Sequence, residues 1–381
     1  MKKKIWVISG SRAEYFLLEN LINKLNKIKK FDFVLCLTGS HFLKKYGYTF
    51  SQVKKNFIIK KIKIGLESDS REKIIVFMSQ LMRKFSKEIS KDNPDLIIIL
   101  GDRYEIFTVA ICAMILKIPI AHIQGGEITE GAFDDSMRHA ITKLSQLHFV
   151  TTEEYKKRVH QMGEDKKSIF NVGSLGVENV KKIKFLKKKN LEKKIKLKLN
   201  KRNLLITFHP VTLNKHNESI DPLLNSLAKL KNTNFLFTSP NIDPGSIEII
   251  KKIKKFVLKN KNSKFYPSLG QQLYFSCVKL FDGVIGNSSS GIIEVPSFNK
   301  GSINIGIRQK GRIFSKSVIN CENNELSIDF SLKKLFSKKF KKNLKKNKNP
   351  YYKKGTSKNI VNVLKKITFK DLPYKSFYDL N

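Results

Sequence analysis

Carboxylates that could transfer protons are concentrated in one stretch of the chain. The motif HIQGGE ends at Glu127, and Asp134, Asp135 and Arg138 follow it closely. Carboxyl groups are common acids and bases in proton transfer, and a glycine pair lets the backbone approach a ligand closely. Asp134 and Asp135 could instead begin a helix and complement its dipole. Both interpretations can hold for neighbouring residues.

A further acidic candidate is Asp102, which follows the apolar run Leu96–Leu100 and precedes Arg103. At the end of an apolar strand a carboxylate has little hydration, so it is costly to place there without a role. The alternative is that Asp102 only caps a helix that starts at Tyr104. The residues leave both alternatives open.

Two turns carry side chains suited to an anion. The motif SGSRAEY follows the run Ile5–Ile8. Its small residues permit a tight turn, helix N–H groups can face an anion, and Arg12 can pair with phosphate. A plain strand-to-helix turn with a surface arginine is the alternative. In the motif GNSSSGIIE, Glu294 could hold a ribose diol, and a neutral phosphate cradle is formed by Ser288, Ser289, Ser290 and Gly291.

Two further positions in the second half could contribute. His209 directly follows the predicted strand Leu204–Phe208, although a lone histidine at a strand end is more often structural. The segment Gly306–Arg312 has spaced glycines but lacks the Lys-Ser/Thr pair of a P-loop, which excludes that motif. Arg308 within this segment can still meet a phosphate.

All these candidates follow predicted strands, and ligands of open α/β sheets bind at the carboxyl ends of the strands. In the first half, buried apolar runs predict the strands Ile5–Ile8, Phe33–Leu37, Leu96–Leu100, Ile118–Ile123 and His148–Val150. Amphipathic segments predict the helices Phe16–Lys27, Lys73–Ser90, Ile106–Leu116 and Met137–Leu144. The alternation predicts a doubly wound parallel sheet.

A lysine-rich stretch, 181–201, interrupts the alternation and is interpreted as a hinge region. The strands predicted beyond it are Leu204–Phe208, Asn234–Thr238, a short one at Phe265, Leu280–Ile285 and Ser302–Ile305. The helices predicted there lie near Pro222–Leu230, Ser246–Leu258 and Ile360–Ile367. Because single cores rarely grow past about 250–300 residues, 381 residues suit two Rossmann-like domains, predicted as 1–180 and 181–381.

The net charge of +42 raises the question of a nucleic-acid partner. The lysines are spread over the chain without interleaved aromatic residues, so we interpret them as a solvated surface and expect no nucleic-acid binding. The longest apolar run, Ile106–Leu116, is shorter than the roughly 18–20 residues of a membrane span. The N-terminal run and the cysteine spacing lead us to expect neither an export signal nor a zinc site. We expect a cytoplasmic protein without membrane contact.

Taken together and in order, seven motifs closely resemble the hydrolysing UDP-N-acetylglucosamine 2-epimerases, in the branch of sialic and legionaminic acid synthesis. The motifs are GSRAEY, LGDRYEIF, HIQGGEITEGAFDDSMRHAITK, TEEYKKRV, FHPVTL, GNSSSGIIEVPS and NIGIRQKGR. The resemblance implies a GT-B-type fold with an interdomain cleft. It also implies that the first domain carries the acid/base residues, that the second binds UDP, and that a C-terminal helix returns toward the first.

The chemistry that the resemblance implies is elimination of UDP across C1–C2 of the sugar, followed by addition of water to the glycal. The product is the free 2-epimer, and the scheme requires neither a cofactor nor a metal. By motif, the resemblance implies acid/base catalysis by Asp102, Glu127 and Asp134, and assistance to the leaving diphosphate by His209. It implies substrate binding by Arg103, Gln124 and Arg138. The residues that it implies for UDP binding are Arg12, Ser288, Ser289, Ser290, Gly291, Glu294 and Arg308.

One departure from the family pattern is Gln124, where many relatives have Glu. A neutral amide cannot act as the base, so Glu127 or Asp134 must carry more of the proton transfer. The sequence leaves open whether the substrate is UDP-N-acetylglucosamine or UDP-N,N′-diacetylbacillosamine, with EITEGAFDDS favouring the second, and whether the chain forms a homodimer or a higher homo-oligomer. A GT-B glycosyltransferase is the alternative enzyme, and a basic nucleic-acid-binding protein is the alternative outside enzymes.

Overall fold

The structure is a computed structural model. It describes residues 2–43, 48–54, 56–65, 70–130, 132–211, 219–240, 243, 245–370, 372 and 374–380. The chain divides into two compact units. The first comprises residues 1–127, 134–179 and 351–381, and the second comprises residues 128–133 and 180–350.

The first unit is built on a seven-stranded parallel sheet with the strand order β3-β2-β1-β4-β5-β6-β7. Its strands are β1 (Lys3–Ser9), β2 (Phe31–Leu37), β3 (Ile58–Lys61), β4 (Leu96–Leu100), β5 (Ile120–Ile123), β6 (Leu147–Val150) and β7 (Ile169–Asn171). Alternate residues of β4 enter the cores on the two faces, Ile98 on one and Ile97 on the other. This explains why the strand sequence is apolar throughout.

Helices cover both faces of that sheet. They are α1 (Arg12–Leu25), α2 (Arg71–Asp92), α3 (Tyr104–Ile115), α4 (Asp134–Leu144), α5 (Glu153–Gln161) and α6 (Leu175–Val180). A later helix, α14 (Thr356–Lys366), packs beside α1 with Ile360 and Leu364 fully buried. The last part of the chain therefore completes the core of the first unit.

The second unit has a six-stranded parallel sheet with the order β10-β9-β8-β11-β12-β13. Its strands are β8 (Arg202–Thr207), β9 (Thr233–Thr238), β10 (Ser263–Tyr266), β11 (Gly283–Gly286), β12 (Gly301–Ile305) and β13 (Val318–Cys321). Its helices are α7 (Lys188–Ile195), α8 (Asp221–Ala228), α9 (Ser246–Lys259), α10 (Gly270–Leu280), α11 (Ser290–Ile293), α12 (Glu325–Phe336) and α13 (Lys338–Leu344).

The structure corrects several predicted elements. The lysine-rich stretch interpreted as a hinge contains α7, which buries Leu191 and Ile195 in the core of the second unit. Two apolar residues one turn apart are enough to dock a short helix, although the composition of the stretch is that of a linker. The strand predicted at Leu280–Ile285 begins only at Gly283, because α10 extends to Leu280. Within the described part of the chain, no helix is long and apolar enough to cross a membrane.

Candidate active site

The turn after β1 is organised by a capping box. Ser11 is the N-cap of α1, and its hydroxyl accepts the N–H of Glu14 at 3.3 Å. The Glu14 carboxylate reaches back and accepts the N–H of Gly10 at 2.7 Å and the Ser11 hydroxyl at 3.1 Å. The pattern Ser-x-x-Glu at residues 11–14 is a sequence signature of this cap that our sequence reasoning missed. The turn places Arg12 on the first turn of α1.

Arg12 is half-buried at this turn. Desolvation lowers the pKa of its guanidinium below the ordinary value. An anion bound here would offset the cost of that desolvation, because a paired charge is less costly to bury than an isolated one. The position therefore suits the predicted role of Arg12 in anion binding, which stays a prediction.

Two buried glutamates lie under the same turn. Glu14 and Glu105 are 5% and 1% exposed. Burial, followed by the charge of Glu105, raises the pKa of Glu14 to about 7. The Nε of Arg103 donates to the Glu105 carboxylate at 3.1 Å. Arg103, predicted to bind substrate, thus also forms an ion pair within the protein.

Asp102 follows β4 and does not cap α3. The N-cap of α3 is Arg103, and no side chain accepts a capping hydrogen bond there, so the capping interpretation of Asp102 is wrong. The Asp102 carboxylate instead accepts a hydrogen bond from Nη2 of Arg138. The side chain of Asp102 is 23% exposed, whereas that of Arg138 is 3% exposed.

Arg138 bonds to three acidic residues of the first unit. Its Nη1 donates to the carbonyl of Glu127 at 2.8 Å and to Oδ1 of Asp135 at 3.0 Å, in addition to the bond with Asp102. Asp134 and Asp135 form the first turn of α4, as the helix-dipole interpretation predicted. Asp135 also forms an ion pair with Arg138, and Asp134 is half-buried, while the role of these acids in proton transfer stays a prediction.

Gln124 and Glu127 lie on the turn after β5. The Glu127 carboxylate accepts the Thr151 hydroxyl at 3.1 Å, and both residues are 2% exposed. Gln124 has φ +69, a left-handed conformation that non-glycine residues rarely adopt. Gly126 has φ +76, and a Cβ there would lie 2.7 Å from the Tyr155 carbonyl oxygen. Such constrained backbone is concentrated at functional sites in proteins.

In the second unit, Asn287 connects three of the loops that carry predicted residues. Its Oδ1 accepts the N–H of His209 at 2.6 Å, and its Nδ2 donates to the carbonyl of His209 at 2.8 Å. Its own carbonyl accepts Nη1 of Arg308 at 3.2 Å and Nε2 of Gln309 at 3.0 Å. Asn287 is outside the set of residues predicted from the sequence, since its partners are distant in sequence.

The serine-rich turn begins where β11 meets β8. Gly286 has φ +135, and a Cβ there would collide with the Thr207 carbonyl, so the close approach of the strands requires glycine. Ser288, Ser289 and Ser290 are half-buried, whereas Gly291 is buried. Glu294 is 7% exposed and directly follows α11.

A tyrosine outside the predicted set lies beside this turn. Burial raises the pKa of the Tyr274 phenol to about 12, and the neighbouring Ser290 hydroxyl partly offsets the rise. Both the serines and the tyrosine are neutral, so they can meet a phosphate only as hydrogen-bond donors. Among the described residues, no group of three or more His, Cys, Asp or Glu side chains could hold a metal ion.

The predicted site residues thus form two groups. The first unit holds the predicted acids together with Arg12, Arg103, Gln124 and Arg138, and the bonds of Arg138 join Asp102 to the backbone of Glu127. The second unit holds His209, the serine-rich turn and Arg308, which Asn287 joins. Each group lies at the carboxyl ends of its strands, where open parallel sheets bind ligands.

Comparison with known proteins adds the family. A family model described as UDP-N-acetylglucosamine 2-epimerase matches residues 23–365. The chain is 43% identical to the GDP/UDP-N,N′-diacetylbacillosamine 2-epimerase (hydrolyzing) of Campylobacter jejuni, over 100% of both chains. It is 40% identical to polysialic acid biosynthesis protein P7 of Escherichia coli, over 99% of this chain and 98% of that one.

A solved structure shows the same fold. It is that of the UDP-GlcNAc 2-epimerase from Neisseria meningitidis bound to UDP-GlcNAc, which superposes with a TM-score of 0.79 at 18% identity and covers 96% of this chain and 100% of that one. The fold is therefore GT-B-like, with two parallel-sheet α/β units, as predicted. Since the family model and both relatives extend over nearly the whole chain, the protein belongs to the UDP-N-acetylglucosamine 2-epimerase family.

Proposed function

We propose that this chain is a hydrolysing UDP-sugar 2-epimerase, which converts its substrate into UDP and the free 2-epimer of the sugar. The observation that carries the proposal is the 43% identity, over the full length of both chains, to a relative named for this reaction. The same name favours UDP-N,N′-diacetylbacillosamine as the substrate, with UDP-N-acetylglucosamine as the second candidate. The grouping of Asp102, Glu127 and Arg138 at the strand ends supports acid/base chemistry.

The proposed reaction begins with elimination. A carboxylate removes the proton from C2, the C1–O bond breaks, and its electron pair leaves with the β-phosphate of UDP. Water then adds to the glycal: its oxygen bonds to C1 as a carboxylate takes one of its protons, and a protonated carboxyl group delivers a proton to C2 on the face opposite the one that was deprotonated. The C2–H bond is not acidic, so its cleavage must be coupled to departure of a well-stabilised diphosphate.

The exposure of the acidic side chains bears on their roles. The Asp102 side chain is 23% exposed and oriented by Arg138, so it can touch a bound sugar. Glu127 is 2% exposed and accepts a bond from Thr151, which leaves it less surface for direct contact. We therefore assign direct proton transfer to Asp102 first, with Glu127 and Asp134 as partners. Gln124 carries an amide and can only hydrogen-bond to the substrate.

The proposed nucleotide contacts lie mainly in the second unit. The hydroxyls of Ser288, Ser289 and Ser290, together with the backbone at Gly291, would donate to the diphosphate. Arg308 and Arg12 would add charge-assisted bonds, and Glu294 would accept the ribose hydroxyls. His209, whose backbone Asn287 holds, would donate to the leaving phosphate.

The test is incubation of the purified enzyme with one nucleotide sugar and no acceptor. UDP-N,N′-diacetylbacillosamine, its GDP counterpart and UDP-N-acetylglucosamine are supplied separately, and the released sugar is identified by mass spectrometry and its configuration by NMR. We expect UDP and the 2-epimer from at least one UDP-sugar. A glycosyltransferase would need an acceptor and would release no epimer, so turnover only with added acceptor would contradict the proposal.

Location and assembly are part of the same proposal. We expect the enzyme in the cytoplasm, where nucleotide sugars are made, and as a homodimer or a higher homo-oligomer. Fractionation of the producing cells tests the first expectation. Light scattering coupled to size-exclusion chromatography tests the second.

A further inference from the structure

His122 is a fully buried polar residue of β5 to which the proposed reaction assigns no role. Its Nε2 lies 2.7 Å from the carbonyl oxygen of Gly101, and its Nδ1 lies 3.1 Å from Oγ1 of Thr142. Gly101 follows β4 and Thr142 belongs to α4, so one imidazole ring connects three elements. Asp102 follows β4, Glu127 follows β5 and Asp135 lies in α4, and all three bond to Arg138.

The protonation of the ring follows from its partners. A carbonyl oxygen can only accept, so Nε2 of His122 carries the hydrogen and donates it to Gly101. Burial lowers the pKa of His122 to about 3, so the ring is neutral and Nδ1 has no hydrogen. Nδ1 and the carbonyl oxygen of Arg138 lie 3.1 and 3.0 Å from Oγ1 of Thr142, so both can accept its single hydroxyl hydrogen. Both ring nitrogens are used, and the ring orientation is set without a buried charge.

The bond to Gly101 acts on the peptide that joins Gly101 to Asp102. Gly101 has φ +83, a region that glycine enters without steric cost, so its own conformational preference does not hold it there. Its N–H donates to the carbonyl of Ile123 at 3.0 Å. Both backbone polar groups of Gly101 are thus bound by β5, and this sets the direction in which Asp102 leaves the strand.

Gly125 lies directly against the His122 ring and the Thr142 side chain. A Cβ at Gly125 would lie 2.8 Å from Oγ1 of Thr142 and 3.0 Å from Nδ1 of His122. A side chain at this position would push the histidine and threonine apart. The glycine after Gln124 therefore leaves the space in which the imidazole and the Thr142 hydroxyl meet.

We propose that His122 is a positioning residue for the reaction: through the Gly101 carbonyl it holds the Asp102 carboxylate in the orientation that proton transfer needs. Arg138 holds the carboxylate itself, and His122 holds the backbone that carries it. The proposal rests on the proposed function, in which Asp102 acts on the sugar. It assigns to His122 no contact with the substrate.

The test compares His122→Phe with His122→Gln. Phenylalanine has a similar volume without a donor, whereas the amide of glutamine can place an N–H near the position of Nε2. The matched control is His148→Phe, because His148 is the register partner of His122 on β6, is equally buried, and bonds to Glu164 instead. Circular dichroism and thermal melting show which variants are folded.

We expect His122→Phe to lower kcat about 10- to 100-fold, as displacement of a reacting group does, with KM and UDP affinity within about twofold of the wild type. His122→Gln should recover most of the loss, and His148→Phe should keep wild-type kcat. Wild-type kcat in His122→Phe, equal losses in the two folded His122 variants, or a rise in KM alone would overturn the proposal.

A measurement without turnover separates this proposal from the proposed function. If the wild-type enzyme epimerises no UDP-sugar, the proposed function fails, whatever the variants do. The ¹⁵N shifts of the His122 side chain should then still show a neutral ring protonated at Nε2, and the His122→Phe crystal structure should show a rotated Gly101–Asp102 peptide. An unrotated peptide in that structure would refute the positioning role by itself.

Discussion

Asn287 holds the backbone of His209 with both ends of its amide: Oδ1 accepts the N–H at 2.6 Å and Nδ2 donates to the carbonyl at 2.8 Å. Asn287 is fully buried and His209 is 5% exposed, so water cannot replace these bonds. The relationship gives His209 a defined backbone at the end of β8 and ties it to the serine-rich turn after β11. The two bonds hold the backbone of His209, and its imidazole is the group that we propose to contact the leaving phosphate.

We predict that Asn287→Ala destabilises the protein by about 2–4 kcal/mol, because it removes two hydrogen bonds to the buried backbone of His209. UDP affinity should fall at least about tenfold, since the His209 backbone loses its side-chain bonds to the serine-rich turn, whereas the bond of Arg308 to the backbone carbonyl of residue 287 is retained. Urea unfolding and calorimetric titration with UDP measure the two effects. Asn304→Ala, which removes another buried asparagine of the same unit, should leave UDP affinity unchanged. Equal losses of affinity in both variants would contradict the role of Asn287.

We predict that Asp102→Asn abolishes turnover while UDP affinity stays within a few-fold of the wild type. The amide cannot accept the C2 proton, whereas the nucleotide contacts lie elsewhere. Steady-state kinetics and calorimetry measure the two quantities. Asp95→Asn is the control, since Asp95 lies before the same strand and its carboxylate accepts the N–H of Lys4. Wild-type turnover of Asp102→Asn would remove Asp102 from the mechanism.

We predict that Ser288→Ala combined with Arg308→Ala weakens UDP binding by roughly 2–4 kcal/mol, because charge-assisted hydrogen bonds to the diphosphate are lost. Titration calorimetry gives the affinity directly. Arg202→Ala removes an arginine of the same unit whose guanidinium lies over the Phe336 ring, and it should bind UDP as the wild type does. An unchanged affinity of the double variant would place UDP at another part of the chain.

We predict that solvent labels the product at two positions. In D₂O the released sugar should carry one deuterium at C2, because the original hydrogen is removed and replaced from solvent. In H₂¹⁸O it should carry the label at C1, because cleavage of the C1–O bond precedes addition of water. Mass spectrometry and NMR of the product read both labels, and activity should persist with a chelator present. Retention of the original C2 hydrogen would exclude elimination.

We predict that Glu14 makes the protein less stable as pH rises. Its folded-state pKa of about 7 lies above its ordinary value of 4.5, so the folded state binds a proton more tightly than the unfolded chain does. The stabilisation is complete below about pH 4.5 and is lost as pH rises through 7. Between pH 5 and 8, the wild type should lose about 2.5 kcal/mol more than Glu14→Gln in urea unfolding.

The control for this prediction is Glu19→Gln, on the same helix with a partly exposed carboxylate paired to Lys54. It should reproduce the pH slope of the wild type. Parallel slopes for the wild type and Glu14→Gln would contradict a raised pKa of Glu14. Such a result would indicate that the capping bonds from Gly10 and Ser11 outweigh the burial of the carboxyl group.

The sequence alone determined most of the fold and the location of the candidate residues. The run Leu96–Leu100 is apolar throughout, which specifies a strand buried on both faces, and Asp102 had to follow that strand at its carboxyl end. Strands with less distinct patterns were missed, such as β7, because three residues give no readable period. The seven motifs also indicated the family that the comparisons confirm.

Only the tertiary structure decided which side chains act together. Arg138 bonds to Asp102 across 36 positions of the chain, His122 to Gly101 across 21, and Asn287 to His209 across 78. Such pairs depend on which strands become neighbours, β4 with β5 and β8 with β11, and on the register between them. A local sequence pattern encodes the period of an element and its ends. Strand order results from the packing of the whole sheet, so it cannot be read from one strand at a time.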